Sequence, residues 1–150
     1  MIAIGSDQGG YELKQEVMGY LKDHGYEYTD VGSYTPESCD YPDIAAKVVQ
    51  MILNGEAEKG ILICGTGIGI SISANRYPGI RAALCTDCFM AEATREHNDA
   101  NVLCMGGRVV GPGLALKITE TFLTTEFSQG ERHIRRLNKI EENYNDYINE

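Results

Sequence analysis

A chain of 150 residues, 43% hydrophobic and 23% charged, has the profile of a globular protein large enough to bury a core without disulfides or metals. Its formal charge of −9 opposes general affinity for nucleic acid or anionic membrane, and its apolar runs fall far short of the roughly 20 residues of a membrane span. Five cysteines and a start that reads as a strand rather than a leader point to free thiols and a cytoplasmic setting.

Residues 2–5 form the first predicted strand. Leu13, Val17 and Leu21 then recur at helical spacing, and a second strand covers 27–31. Ile44, Val48, Met51 and Ile52 mark a helix behind Pro42, a favourable first-turn residue. Residues 60–64 and 81–85 are the third and fourth strands, a helix fits 87–97, and the fifth strand covers 101–105. The helix over 112–127 enters through Gly111-Pro112-Gly113 and stops near the turn residues Ser128 to Gly130. A polar, aromatic helix follows over 131–148. No repeat or linker divides the chain, so 1–150 reads as one domain. Alternation at this rhythm predicts an α/β fold: right-handed βαβ units around a five-stranded parallel sheet in a three-layer sandwich, with an additional C-terminal helix.

Ligands in such folds bind where strands end at their carboxyl edge. The most informative exit is Cys64-Gly65-Thr66-Gly67-Ile68-Gly69. No Gly-Lys-Ser/Thr follows, so it is not a Walker loop, and Ile70 breaks the G-x-G-x-x-G fingerprint. What remains is a thiol beside the exposed amides of Gly65, Gly67 and Gly69, leading into a helix. That pairing suits proton transfer at carbon with an enediolate intermediate. Amides and the positive end of a helix stabilise an oxyanion, and the same field favours thiolate over thiol. Thr66 can hydrogen-bond the reacting oxygens. Taken alone, Cys64 is better read as a small hydrophobe ending a strand.

Other residues shift that balance. Asp7 follows the first strand and could hold sugar hydroxyls or assist ring opening, though an Asp there is often a helix cap. His97 and Asn98 set a titratable imidazole beside an amide, suited to protonating a ring oxygen; a helix C-terminal cation is the plainer reading of His97. Arg132 and Arg136, one turn apart in an acidic chain, could clamp a phosphate, with Arg108 a third candidate. Cys85-Thr86-Asp87-Cys88 matches C-x-x-C, but a lone pair of this kind supports neither a metal nor a redox role strongly. Topology constrains the set. A helix over 87–97 runs back from the carboxyl edge, so His97 emerges at the opposite edge, away from Cys64 of its own chain. A site using both requires two subunits, which predicts a homodimer with composite sites.

Taken together the chain resembles the ribose-5-phosphate isomerase B family, which includes the galactose-6-phosphate isomerase subunits. The marks are Gly5-Ser6-Asp7, Asp40-Tyr41-Pro42, the run from Ile63 to Ser71, Gly79-Ile80-Arg81-Ala82 and His97-Asn98-Asp99 with Asn101-Val102. Gly107-Arg108-Val109-Val110-Gly111 and Arg132-His133…Arg136 complete them. The resemblance implies a Rossmann-like sandwich, a homodimer with sites between subunits (pairing into tetramers left open), and isomerisation of ribose 5-phosphate and ribulose 5-phosphate without metal or cofactor. It implies Cys64 as the base, Thr66 and the Gly65–Gly69 amides as holders of the enediolate, and His97 in ring opening. Asp7, Tyr41 and Asn98 would contact the sugar, and Arg108, Arg132 and Arg136 the phosphate.

One residue departs from the pattern: Gln8 stands where His is usual. Gln donates a hydrogen bond but neither carries charge nor shuttles a proton, which leaves allose 6-phosphate and galactose 6-phosphate open as substrates. A Rossmann-like binding module without catalysis and a thiol redox protein using Cys85 and Cys88 are the readings from other classes.

Overall fold

The computed structural model describes residues 1–150. Five parallel strands, β1 (Ile2–Ser6), β2 (Tyr28–Asp30), β3 (Lys59–Cys64), β4 (Ala82–Leu84) and β5 (Val102–Gly106), form one sheet in the order β2-β1-β3-β5-β4. The six α-helices are α1 (Tyr11–Asp23), α2 (Tyr41–Leu53), α3 (Ile68–Ala74), α4 (Cys88–Asn98), α5 (Pro112–Thr124) and α6 (Glu131–Ile148), and a 3-10 turn spans Gln8–Gly10. None of the helices is long and apolar enough to cross a membrane.

Period-two alternation along the central strands divides the core. Ile2, Ile4, Ile61, Ile63, Leu103 and Met105 face α1, α4 and α5, while Ala3, Leu62, Cys64, Val102 and Cys104 face α2 and α3. The strands are apolar on both faces because helices cover both. Phe122 of α5 is fully buried, a contribution of about 1.5–3 kcal/mol from hydrophobic transfer. Connections that cross α1 and α4 lead one way along the sheet, and those through α2 and α3 lead the other, as a uniform right-handed crossover demands. The chain therefore leaves β1 and β3 toward opposite faces, opening a crevice between their carboxyl ends.

Several boundaries differ from expectation. β2 and β4 shrink to three residues each, and β4 stops before Cys85, although the Cys85 amide still donates to the Cys104 carbonyl at 3.0 Å. The helix expected over 112–127 ends at Thr124. Thr125 is extended, with ψ 126°, and its carbonyl accepts from Arg95 Nε at 3.1 Å, so the chain is held out of the helix by a tertiary partner. The 3-10 turn and the extent of α3 are additions. Ile68-Gly69-Ile70-Ser71-Ile72-Ser73 alternates like a strand, yet the positive φ of Gly67, 79°, turns the chain into a helix there.

Candidate active site

Three strand-exit loops meet in the β1/β3 crevice. The Asp7 amide donates to the Ile63 carbonyl at 3.2 Å, the Gly107 amide to the Cys64 carbonyl at 2.8 Å, and the Arg108 amide to the Gly65 carbonyl at 3.0 Å. Their packing is so close that Gly9 lies against the Gly65 main chain and Gly107 against Gly9. The site is thus a backbone construction, which is why glycines concentrate at the exits.

Within it, Cys64 is 4% exposed and its Sγ accepts from the Gly67 amide at 3.1 Å. That bond places the sulfur at the first turn of α3, beside the amides that follow. Thr66 is exposed and its Oγ1 accepts from the Ile68 amide at 3.2 Å. Gly67 cannot be anything else: beyond its φ, a Cβ would lie 2.8 Å from the Met105 carbonyl carbon. The Tyr41 ring lies over Gly69, where a Cβ would come within 2.7 Å of the ring. Arg108 flanks Gly65 in the same way, with a guanidinium nitrogen 3.3 Å from the position a Cβ would take.

Asp7 is buried and its Oδ1 accepts from the Gly9 amide at 2.9 Å, capping the 3-10 turn. Gln8 is exposed, and its Oε1 accepts from the Cys39 amide at 3.0 Å. Gln8 therefore ties the first exit to the loop before α2, leaving its amide nitrogen as a donor. Asp7, Gln8, Tyr41, Cys64, Gly65, Thr66, Gly67, Gly69 and Arg108 form one group.

The remaining predicted residues form a second group elsewhere. Helix α4 starts at its Asp87 cap, past β4, and ends at Asn98, whose carbonyl accepts from Arg81 at 3.0 Å. Arg81 precedes β4, so His97 and Asn98 stand at the amino edge of the sheet, opposite Cys64. The start of α6 packs there: the His133 ring is 4.5 Å from that of His97, and Ser128 Oγ lies 2.9 Å from His133 Nδ1. Burial, reinforced by the charges of Arg132, His97 and Arg136, holds the His133 imidazole below its ordinary pKa, with Glu96 opposing. Arg132 and Arg136 thus belong with His97. An open groove of about 460 Å³ runs beside them, lined by Asn98, Arg81, Leu137 and Ile140 among others.

In the C-x-x-C pair Cys85 is buried and Cys88 half-buried. Burial, with Asp87 adding to it, pushes the Cys85 thiol up to about 12, the reverse of what a reactive cysteine needs. No three His, Cys, Asp or Glu side chains converge as metal ligands. Pattern reading missed Lys14, which is fully buried with its Nζ 2.8 Å from Asp30 Oδ1 and bonded to the Ser33 carbonyl. The Ser33 amide in turn donates to the Ser6 carbonyl at 2.7 Å, so Lys14 braces the segment behind Asp7. Its neighbour Leu13 in the apolar stripe gave no hint of this; the acid ending β2 was the only signal.

A thiol and a row of main-chain amides at the switch point of a doubly wound sheet define a Rossmann-like α/β protein with a small-molecule site. Residues 2–140 match the ribose/galactose isomerase family. The fold superposes on a ribose-5-phosphate isomerase B of Clostridium thermocellum with TM-score 0.94 and 55% identity, over 97% of this chain and 98% of that one. Ribose-5-phosphate isomerase B of Escherichia coli K12 is 45% identical over 139 residues, 93% of either chain. A 4-deoxy-4-sulfo-D-erythrose isomerase of Clostridium sp. MSTE9 is 46% identical over 129 residues, 85% of this chain and 81% of the other. The chain belongs to the ribose/galactose isomerase family, and it is an isomerase.

Proposed function

We propose that the protein interconverts ribose 5-phosphate and ribulose 5-phosphate, with Cys64 as the base, in sites shared between two subunits. The observation that carries the reading is the Cys64 sulfur seated on the Gly67 amide at 3.1 Å in the β1/β3 crevice. There, Cys64 takes the proton from C2 of the open-chain aldose, and the electron pair forms a C1–C2 double bond with charge on O1. The free amides of the Gly65–Gly69 loop and Thr66 stabilise that enediolate, an interaction of about 3–4 kcal/mol per well-placed donor. The hydroxyl proton passes from O2 to O1, and Cys64 returns its proton to C1, leaving the carbonyl at C2.

The second group completes the site in a dimer. His97 and Asn98 of one subunit approach Cys64 of the other, His97 delivering a proton to the ring oxygen as the furanose opens. Asp7 and Tyr41 hold hydroxyls, and Arg132 and Arg136 meet the phosphate with Arg108. The opposite placement of the two groups supports this, since neither can serve the other within one chain. Sedimentation of an active monomer would overturn the composite site.

Gln8 favours one further reading, a substrate of different length. With its Oε1 bonded to Cys39, only its amide nitrogen can reach substrate, and a relative acts on a four-carbon sulfosugar. The deciding assay is ribose 5-phosphate turnover with chelator present, wild type against Cys64→Ala, with allose 6-phosphate and galactose 6-phosphate in parallel. Turnover that survives chelator and falls at least about 1,000-fold in the variant is expected. Turnover only on a six-carbon sugar moves the substrate and keeps the base. No turnover on any of the three overturns these substrates and moves the assay to other aldoses, the four-carbon sulfosugar of the relative first.

A further inference from the structure

His97 and Asn98 stand exposed at the last turn of α4, the part of a helix that ordinarily frays. Their main chain is nonetheless gripped from two sides. Arg95, 7% exposed, donates Nη1 to Asp99 Oδ1 at 2.9 Å and to the Ala100 carbonyl at 2.7 Å, and Nε to the Thr125 carbonyl at 3.1 Å. Its guanidinium stands 5.8 Å from the centre of the Phe122 ring. Opposite it, Arg81 donates Nε to the Asn98 and Asp99 carbonyls, each at 3.0 Å, and its Nη2 lies 3.6 Å from Asp99 Oδ2. Asp99 itself is left-handed, with φ 45°. Two guanidinium forks therefore serve three successive carbonyls and both oxygens of one carboxylate, directly after His97.

Stopping a helix does not require this. A single capping N–H suffices, and the Asp99 amide already donates to the Thr94 carbonyl. The Arg95–Asp99 ion pair is itself a small source of stability, because the Asp99 carboxylate is 38% exposed and screened by solvent. What a planar guanidinium bound to several acceptors at once supplies is fixed geometry.

We propose that Arg95 and Asp99 are positioning residues that hold the end of α4 so that His97 meets the ring oxygen of the substrate. The inference rests on the isomerase reading above and on His97 acting in ring opening. It predicts a selective defect. Ribose 5-phosphate must open before its C2 proton is accessible, whereas ribulose 5-phosphate, its C5 oxygen esterified, forms no furanose. Exchange of the ribulose 5-phosphate C1 proton with solvent needs the phosphate-binding arginines and the Cys64 group but no ring opening by His97.

The test compares wild type, Asp99→Asn, Arg95→Lys and His97→Asn in two assays: kcat on ribose 5-phosphate, and deuterium wash-in at C1 of ribulose 5-phosphate in D2O. Asn accepts the left-handed conformation as Asp does, so Asp99→Asn removes charge without straining the backbone and decides the matter if Arg95→Lys folds poorly. Both positioning variants are expected to lose about tenfold in kcat while wash-in stays within about twofold of wild type. Equal losses in both assays, or no loss in either, would overturn the proposal. A split in His97→Asn alone would overturn it while leaving the ring-opening role intact. Wild type without ribose 5-phosphate turnover, or His97→Asn without a split, would remove the reading beneath it.

Discussion

Gly9→Ala would place a methyl carbon 2.7 Å from the Gly65 nitrogen and 2.8 Å from its Cα. Both atoms are main chain, so no rotamer change relieves the clash. Ordinary contact begins at 3.4 Å, and the two loops must therefore part by about 0.7 Å. Gly65 adjoins Cys64, and the same loop carries the Gly67 amide that holds the sulfur, so the displacement enters the geometry of the proposed base directly. Misplacement on this scale lowers kcat/KM by about 10–100-fold, or about 1.4–2.7 kcal/mol of transition-state stabilisation. Overpacking adds about 1–3 kcal/mol of lost stability, a fall in Tm of roughly 3–10 °C. Gly19→Ala is the control: nothing lies within 4 Å of its new methyl, and in the interior of α1 it should stabilise by about 0.5–1 kcal/mol with activity unchanged. Steady-state kinetics and thermal melts on both variants read the contrast. Wild-type kcat/KM in a folded Gly9→Ala protein would refute the view that stacked exit loops set the position of the thiol.

Three further outcomes concern His133 and the cysteines. The His133 imidazole is held below its ordinary pKa by burial first and then by Arg132, His97 and Arg136, so the unfolded chain binds more protons across that interval. The contribution is complete above the unfolded value of about 6.5 and is lost as pH falls through the depressed folded value. The drop in Tm between pH 8 and pH 5 should accordingly be smaller in His133→Gln than in wild type, and equal drops would contradict the assignment. A disulfide reagent should label the half-buried Cys39 and Cys88 in the folded protein. Cys85 and Cys104, whose thiols burial raises, should react only on unfolding. Cys88→Ser should keep full isomerase turnover, and a loss would restore a role for the C-x-x-C pair.

Most of the fold was legible because its determinants are local. The alternation Ile61, Leu62, Ile63, Cys64 between two helical layers follows from strand geometry alone, and the Leu13, Val17, Leu21 stripe from helix geometry. The helix expected beyond the Gly65–Gly69 amides is there as α3, held against the strand-like alternation of Ile68 to Ser73 by the turn at Gly67 and packing of Ile70 and Ala74 against α2. Legibility failed where distant contacts override local preference. Thr125 leaves its helix because a distant arginine claims its carbonyl. Lys14 drew no notice in the sequence, and only the approach of Asp30 and Ser33 explains its burial.

By itself the sequence determined the alternation of strands and helices, the glycine-rich exits and the thiol at the third of them, since each depends on residues close in the chain. It also carried the family, through motifs whose order and spacing are read without coordinates. Only the tertiary structure decided the strand order β2-β1-β3-β5-β4, the stacking of three exit loops on glycine contacts, and the grouping of Arg132 and Arg136 with His97 rather than with Cys64. Those features arise from contacts between segments tens of residues apart, whose partners are chosen by shape and hydrogen-bond satisfaction in the folded chain.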